Sequence, residues 1–167
     1  MNAGCWVSYV LMLFAGSALG GCSGAEWRTV QIDSPYAAPK SVTITVVAPP
    51  AAKEAAEALS SGLVDELRSG GIVATVVPSA SGAAEANLSI NKWDPGSRGL
   101  RWLAFGAGKG ECIVTVDTAT IGVEGTVHGW VRGGFFGGDA ENAASAAGHL
   151  IGKAIVTGRS QPAPSAE

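Results

Sequence analysis

Charge is missing from the front of this chain: no lysine, arginine, aspartate or glutamate precedes Glu26. Long apolar runs are scarce as well. The run Trp6 to Leu19 spans about 14 residues, short of the roughly 20 that cross a bilayer as a helix. Cysteine is limited to Cys5, Cys22 and Cys112. Histidine is limited to His128 and His149, which stand 21 residues apart with no acidic or histidine neighbour at ligand spacing. Neither a metal nor another cofactor is therefore expected. Basic clusters are absent and the net charge is −3, so nucleic acid is not an expected partner.

What the front does contain is an uncharged apolar core, a small-residue exit at Ala15-Gly16-Ser17-Ala18, and Leu19-Gly20-Gly21-Cys22. The core fits the roughly 7–15 apolar residues of a secretory leader. Residues 1–22 resemble the signal peptide of a bacterial lipoprotein, although no Lys or Arg precedes the apolar run. The resemblance implies that residues 1–21 are removed and that Cys22 carries the acyl chains. Ser23 rather than Asp after the cysteine implies the outer membrane, periplasmic side. Each buried methylene contributes roughly 0.8 kcal/mol, and two or more chains anchor stably where one does not. With Cys22 consumed as the anchor and Cys5 lost, Cys112 has no partner for an internal disulfide. Its strand-like setting, Glu111 to Val116, predicts a small buried hydrophobe.

The chain is 167 residues long, which after the leader suits a single domain. Residues 22–40 read as a tether, with Val30-Gln31-Ile32 as the only short alternation and a candidate for an added edge strand. Residues 158–167, rich in Pro and Ser, read as a disordered tail. Between them lies the folded part, 41–157. Ser41 to Val47 alternates β-branched residues and predicts a strand. Pro49-Pro50 then opens a helix from Ala51 to Arg68 with Ala55, Leu59, Leu63, Val64 and Leu67 on one stripe. Gly70-Gly71 ends it, and Ile72 to Val77 is a second strand, giving a parallel crossover.

Hairpins follow: a strand over Ala86 to Trp93, a type II turn at Asp94-Pro95-Gly96-Ser97, and a return strand over Arg101 to Phe105. Glu111 to Asp117 and Gly125 to Val131 form the next pair. A last helix runs from Asp139, an N-cap residue, to Val156, thinned by Gly148 and Gly152 for close approach to the sheet. The fold class is α/β (α+β): a two-layer mixed sheet, a βαβ unit then antiparallel hairpins, with both helices on one face.

Three motifs carry a second resemblance: Trp93-x-Pro95-Gly96-Ser97-Arg98-x-x-Arg101-Trp102, Gly106-x-Gly108-Lys109, and Gly133-Gly134-Phe135-Phe136-Gly137-Gly138. They are similar to the domain of unknown function 4410 family of small bacterial lipoproteins, over roughly residues 40–157. The resemblance implies location and fold class and no particular chemistry.

Catalytic constellations are weak. Gly106 to Gly110 lacks the first glycine and the hydroxyl of a phosphate loop. A Cys112–His128 dyad fails on alternation, because Cys112, Val114 and Val116 share a face with Val127, Gly129 and Val131, while His128, Trp130 and Arg132 point the other way. No enzyme is expected. Trp93, Arg98, Arg101 and Trp102 gather at one turn, either as a pinned hairpin or as an aromatic and basic docking surface. Phe135 and Phe136 serve either as a core pair or as an exposed tip. The reading that follows is a membrane-anchored, non-catalytic binding or scaffolding lipoprotein with an envelope protein partner. The alternative is a carrier of lipid or another small molecule, using space between sheet and helices.

Overall fold

The computed structural model describes residues 23–78, 84–97, 108–118, 120–132 and 139–160. Six strands and two α-helices fall within them: β1 Ser23–Ile32, β2 Ser41–Val47, α1 Lys53–Ser69, β3 Val73–Val76, β4 Glu85–Asp94, β5 Gly110–Thr118, β6 Val123–Val131 and α2 Glu141–Thr157. A short 3-10 turn, Pro50–Ala52, leads into α1. The strands form one mixed sheet in the order β1-β6-β5-β4-β2-β3. β2 runs parallel to both β3 and β4, and the remaining pairs are antiparallel. The two-layer α/β arrangement is thus the one that the hydrophobic periods predict. α1 lies over β2 and β3, α2 over β1, β5 and β6, and the helices pack against each other.

Alternation decides which face is sealed. Val42 and Ile44 of β2, Leu88 and Ile90 of β4, Cys112, Val114 and Val116 of β5, and Val123, Val127 and Val131 of β6 are all buried. They meet Leu59, Leu63 and Leu67 of α1 and Ile151 and Ile155 of α2 in one core. At roughly 25 cal/mol per Å² of apolar surface removed from water, this burial is the main force joining the two layers.

Two expectations need correction. The first is the tether: the edge strand considered at Val30 to Ile32 reaches back to Ser23, ten residues in all, paired antiparallel with β6 from Ser23↔Val131 to Ile32↔Val123. A bulge between Trp27 and Thr29 shifts the register. Trp27, Val30 and Ile32 consequently share the helix-side face at spacings of three and two, a pattern that strict alternation does not reveal. The second concerns Gly148 and Gly152, which approach the other helix rather than the sheet. A Cβ on Gly148 would lie 2.3 Å from the Leu59 carbonyl oxygen, and one on Gly152 2.7 Å from Glu66 Cβ. Gly62 of α1 returns the contact, its Cβ position being 2.4 Å from the Ser145 carbonyl oxygen. Close approach to the sheet is supplied instead by Gly129 of β6, where a Cβ would stand 2.1 Å from the Ala143 carbonyl oxygen.

The last helix, α2, begins around Ala140, whose dihedrals are already helical, and the Asn142 N–H donates to the Asp139 carbonyl at 3.2 Å. At its other end Gly158 adopts φ +60° and donates its N–H to the Ala154 carbonyl at 2.8 Å, so the first residue of the expected tail closes the helix. The expected return strand at 101–105 lies outside the described residues; the antiparallel partner of β4 is β5.

Candidate functional site

With the helices on one side, the other side of the sheet presents the alternate residues: Glu26 of β1, Thr126, His128 and Trp130 of β6, Glu111, Ile113 and Thr115 of β5, and Lys92 and Asp94 of β4. A polar row crosses four of the strands. His128 stands opposite Glu26 in register, with Nδ1 3.4 Å from Glu26 Oε1. On its other flank Nε2 lies 4.0 Å from Glu111 Oε1. Glu111 in turn accepts a hydrogen bond from Lys92 Nζ at 3.0 Å. That ammonium holds the Glu111 carboxyl below its ordinary pKa, against an opposing push from burial.

One strand step nearer the start of β1, the Trp130 ring occupies the space that Gly24 leaves, its Cζ2 2.6 Å from where a Cβ would stand. The Arg132 guanidinium lies 5.2 Å from the Trp130 ring centre, within cation–π range.

The thiol of Cys112 is on the opposite face. Cys112 pairs with Gly129 and Ile113 with His128, so the dyad is excluded by register. Burial pushes the Cys112 thiol up to about 12, which leaves almost no thiolate, the nucleophilic form, near neutral pH. Among the described residues, no group of three or more His, Cys, Asp or Glu is placed to hold a metal ion.

Of the sequence-predicted site residues, Trp93 alone is described. It sits on the helix-side face opposite Cys112, half-buried against the core, and is thereby drawn away from the open face. Asp94 pins the following turn by accepting the Gly96 N–H at 2.8 Å, and Gly96 has the positive φ, +60°, that a type II turn requires. Cys22, Arg98, Arg101, Trp102, Phe135 and Phe136 lie outside the described residues. The residues that flank them share one end of the sheet. Gly96 packs against the Lys109 carbonyl, Gly110 pairs with Val131 and lies near Ala140, and Ser23 pairs with Val131.

The sequence reading missed Glu26–His128–Glu111 and the Trp130–Arg132 pair. The first needs the register of β1, which the bulge conceals. Alternation did place Trp130 and Arg132 on the outer face, and their spacing of two along one strand was the available signal.

Under the carrier reading a ligand would occupy space between sheet and helices; there the backbones touch between β6 and the last helix at Gly129 and between the two helices at Gly148. A groove of about 470 Å³ opens at the β3 edge of this layer, between α1 and the helix-side face of β2 and β3, lined by Val46, Ala56, Val76, Val77 and Pro78 with Lys53, Glu57 and Ser60. It adjoins the free edge of β3, where Val73 and Val76 are 65% and 51% exposed.

This arrangement has solved counterparts. The fold is similar to that of PelC. A point variant of PelC from Paraburkholderia phytofirmans, a dodecamer, superposes with a TM-score of 0.51 at 18% identity, covering 81% of this chain and 97% of that one. A second PelC dodecamer from the same organism gives a TM-score of 0.49 at 13% identity, covering 83% and 99%. At such identity the likeness to PelC concerns the fold alone. No protein-family model matches the chain, and no curated protein sequence does.

Proposed function

We propose that the protein is a lipoprotein of the outer membrane, acylated at Cys22 and held on the periplasmic face, which binds or scaffolds another envelope component without catalysing a reaction. The observation that carries this reading is the asymmetry of the sheet. Two helices seal one face, and the other offers His128, Trp130, Ile113, Thr115 and Thr126 half-buried, with no described helix over them. Trp130 and Arg132 on this face are of the residue types that dominate protein-binding hot spots. Since PelC is a dodecamer, self-association is one form that the scaffolding takes under this proposal.

Two measurements test it together. Labelled palmitate should enter the wild-type chain and not the Cys22→Ala variant. A photo-crosslinking residue introduced at Thr126 or Thr115 should capture a discrete envelope protein or a second copy, whereas one at Lys153 on the exposed side of α2 should not. Absence of label, or equal capture from both sides, overturns the reading. The carrier alternative rests on the groove beside β3. It predicts a bound lipid or other small molecule in native mass spectrometry of the purified protein, lost when Val76→Glu places a charge in the apolar lining.

A further inference from the structure

We infer that the folded domain stands directly on the bilayer, end-on, with the corner of the sheet formed by Gly24, Trp130 and Arg132 set among the lipid headgroups. This rests on the proposed acylation of Cys22 and goes beyond it, because an anchor fixes a location but not an orientation. A tether over residues 22–40 would reach tens of Å, at up to roughly 3.5 Å per residue, and would leave the domain free to tumble. The structure removes that freedom. Ser23, the residue bonded to Cys22, already belongs to β1 and pairs with Val131. The acyl chains would therefore begin one residue from the sheet.

Several features at that end suit the headgroup layer. Trp130 lies across Gly24 in the first paired positions of β1, and Arg132 stacks on its ring. Tryptophan favours the membrane–water boundary, where its ring and its N–H find different surroundings. Arginine reaches phosphate oxygens with a planar fork of donors. Exposed Lys109 adjoins Gly110, which also pairs with Val131.

The opposite end has another character. Asp117 and Glu124 face each other across β5 and β6, both exposed. Glu124 pairs with Gln31, eight residues beyond Ser23, so it stands about 25–30 Å up the strand at the usual rise. Long-range charge is not invoked, since among the described residues Glu26, Glu111 and Asp94 stand against Lys92, Lys109 and Arg132 at the lower end. The contact is one of short-range placement, and the partner is the lipid surface itself.

The test uses the full chain, acylated and purified into vesicles of phosphatidylethanolamine and phosphatidylglycerol. Nitroxide labels are attached at Lys109→Cys and, separately, at Glu124→Cys, both exposed positions that leave Trp130 and Arg132 intact, while buried Cys112 stays unlabelled. The ratio of collisions with oxygen, which enters lipid, to collisions with a water-soluble nickel chelate reads depth. The inference expects a several-fold higher ratio at Lys109→Cys than at Glu124→Cys, unchanged when phosphatidylglycerol is omitted. Equal aqueous ratios at both sites, or a deeper label at Glu124→Cys, overturn it. Palmitate incorporation is measured on the same samples. An acylated chain with two aqueous labels sinks the end-on placement alone, whereas a chain that takes up no palmitate sinks the anchoring from which it starts.

Discussion

The two faces of the sheet are built on different rules. The helix side is made of small and β-branched residues and depends on backbones touching: Gly129 under Ala143, Gly148 against Leu59, Gly62 against Ser145. The open side is made of Glu26, His128, Glu111, Trp130 and threonines, whose contacts are ends of side chains. What the difference teaches is where this molecule tolerates change. A face closed by main chain cannot yield, and one closed by side chains can.

Two glycines of neighbouring strands make the sharpest comparison. Gly129→Ala pushes a methyl group into a carbonyl oxygen 2.1 Å away, whereas Gly24→Ala meets the edge of the Trp130 ring at 2.6 Å. Overpacking against rigid neighbours should cost Gly129→Ala about 3 kcal/mol, and Gly24→Ala about 1 kcal/mol or less once the ring swings aside. Urea unfolding of both variants reads the difference, and equal losses would break the comparison.

Another effect is pH-dependent and belongs to the sealed face. The Cys112 thiol is raised from 9.0 to about 12 in the folded chain. Between those values the unfolded chain gives up a proton that the folded chain keeps, so stability is fully present below the lower value and falls as pH rises toward the upper one. The slope is about 1.4 kcal/mol per pH unit for one such group. Unfolding curves measured across that window should lose this slope in Cys112→Ala; a slope that persists would assign the alkaline loss to other groups.

A smaller loss is expected where the chain after β1 is tied to α2. The Tyr36 hydroxyl donates to the Ile155 carbonyl, and its ring packs on Gly158. Tyr36→Phe should cost about 1 kcal/mol, the usual net worth of one hydrogen bond. The smallest effect belongs to the open face. Lys92 and Glu111, 3.0 Å apart with the lysine more than half exposed, should contribute under about 1 kcal/mol. Lys92→Met should leave the thermal midpoint nearly unmoved, and a large drop would show that the open face is structural after all.

Much of this molecule was legible because its periods are strict. The alternation of β5 and β6 predicts Cys112 and His128 on opposite faces, and the pairing of Cys112 with Gly129 has that consequence. The stripe Leu59, Leu63 and Leu67 predicts the buried side of α1. Where a period breaks, the signal fails. The bulge at Arg28 leaves only Val30-Gln31-Ile32 of β1 visible as an alternation, so nothing placed Glu26 beside His128. Glycine in a helix announces that something comes close, but not what; Gly148 met a helix where a sheet was expected. Trp93 shows a related limit. A bulge between Ile90 and Lys92 precedes it, and register, not residue type, turns it toward the core.

The claim on which location, orientation and role all depend is that the chain begins at an acylated Cys22. Intact mass measurement of protein extracted from membranes addresses it directly. The account predicts a chain of Cys22 to Glu167 whose mass exceeds the polypeptide by a diacylglyceryl group and a further acyl chain, all of it absent in Cys22→Ala. A membrane-extracted chain that keeps Met1 to Gly21 and carries no added mass would contradict it.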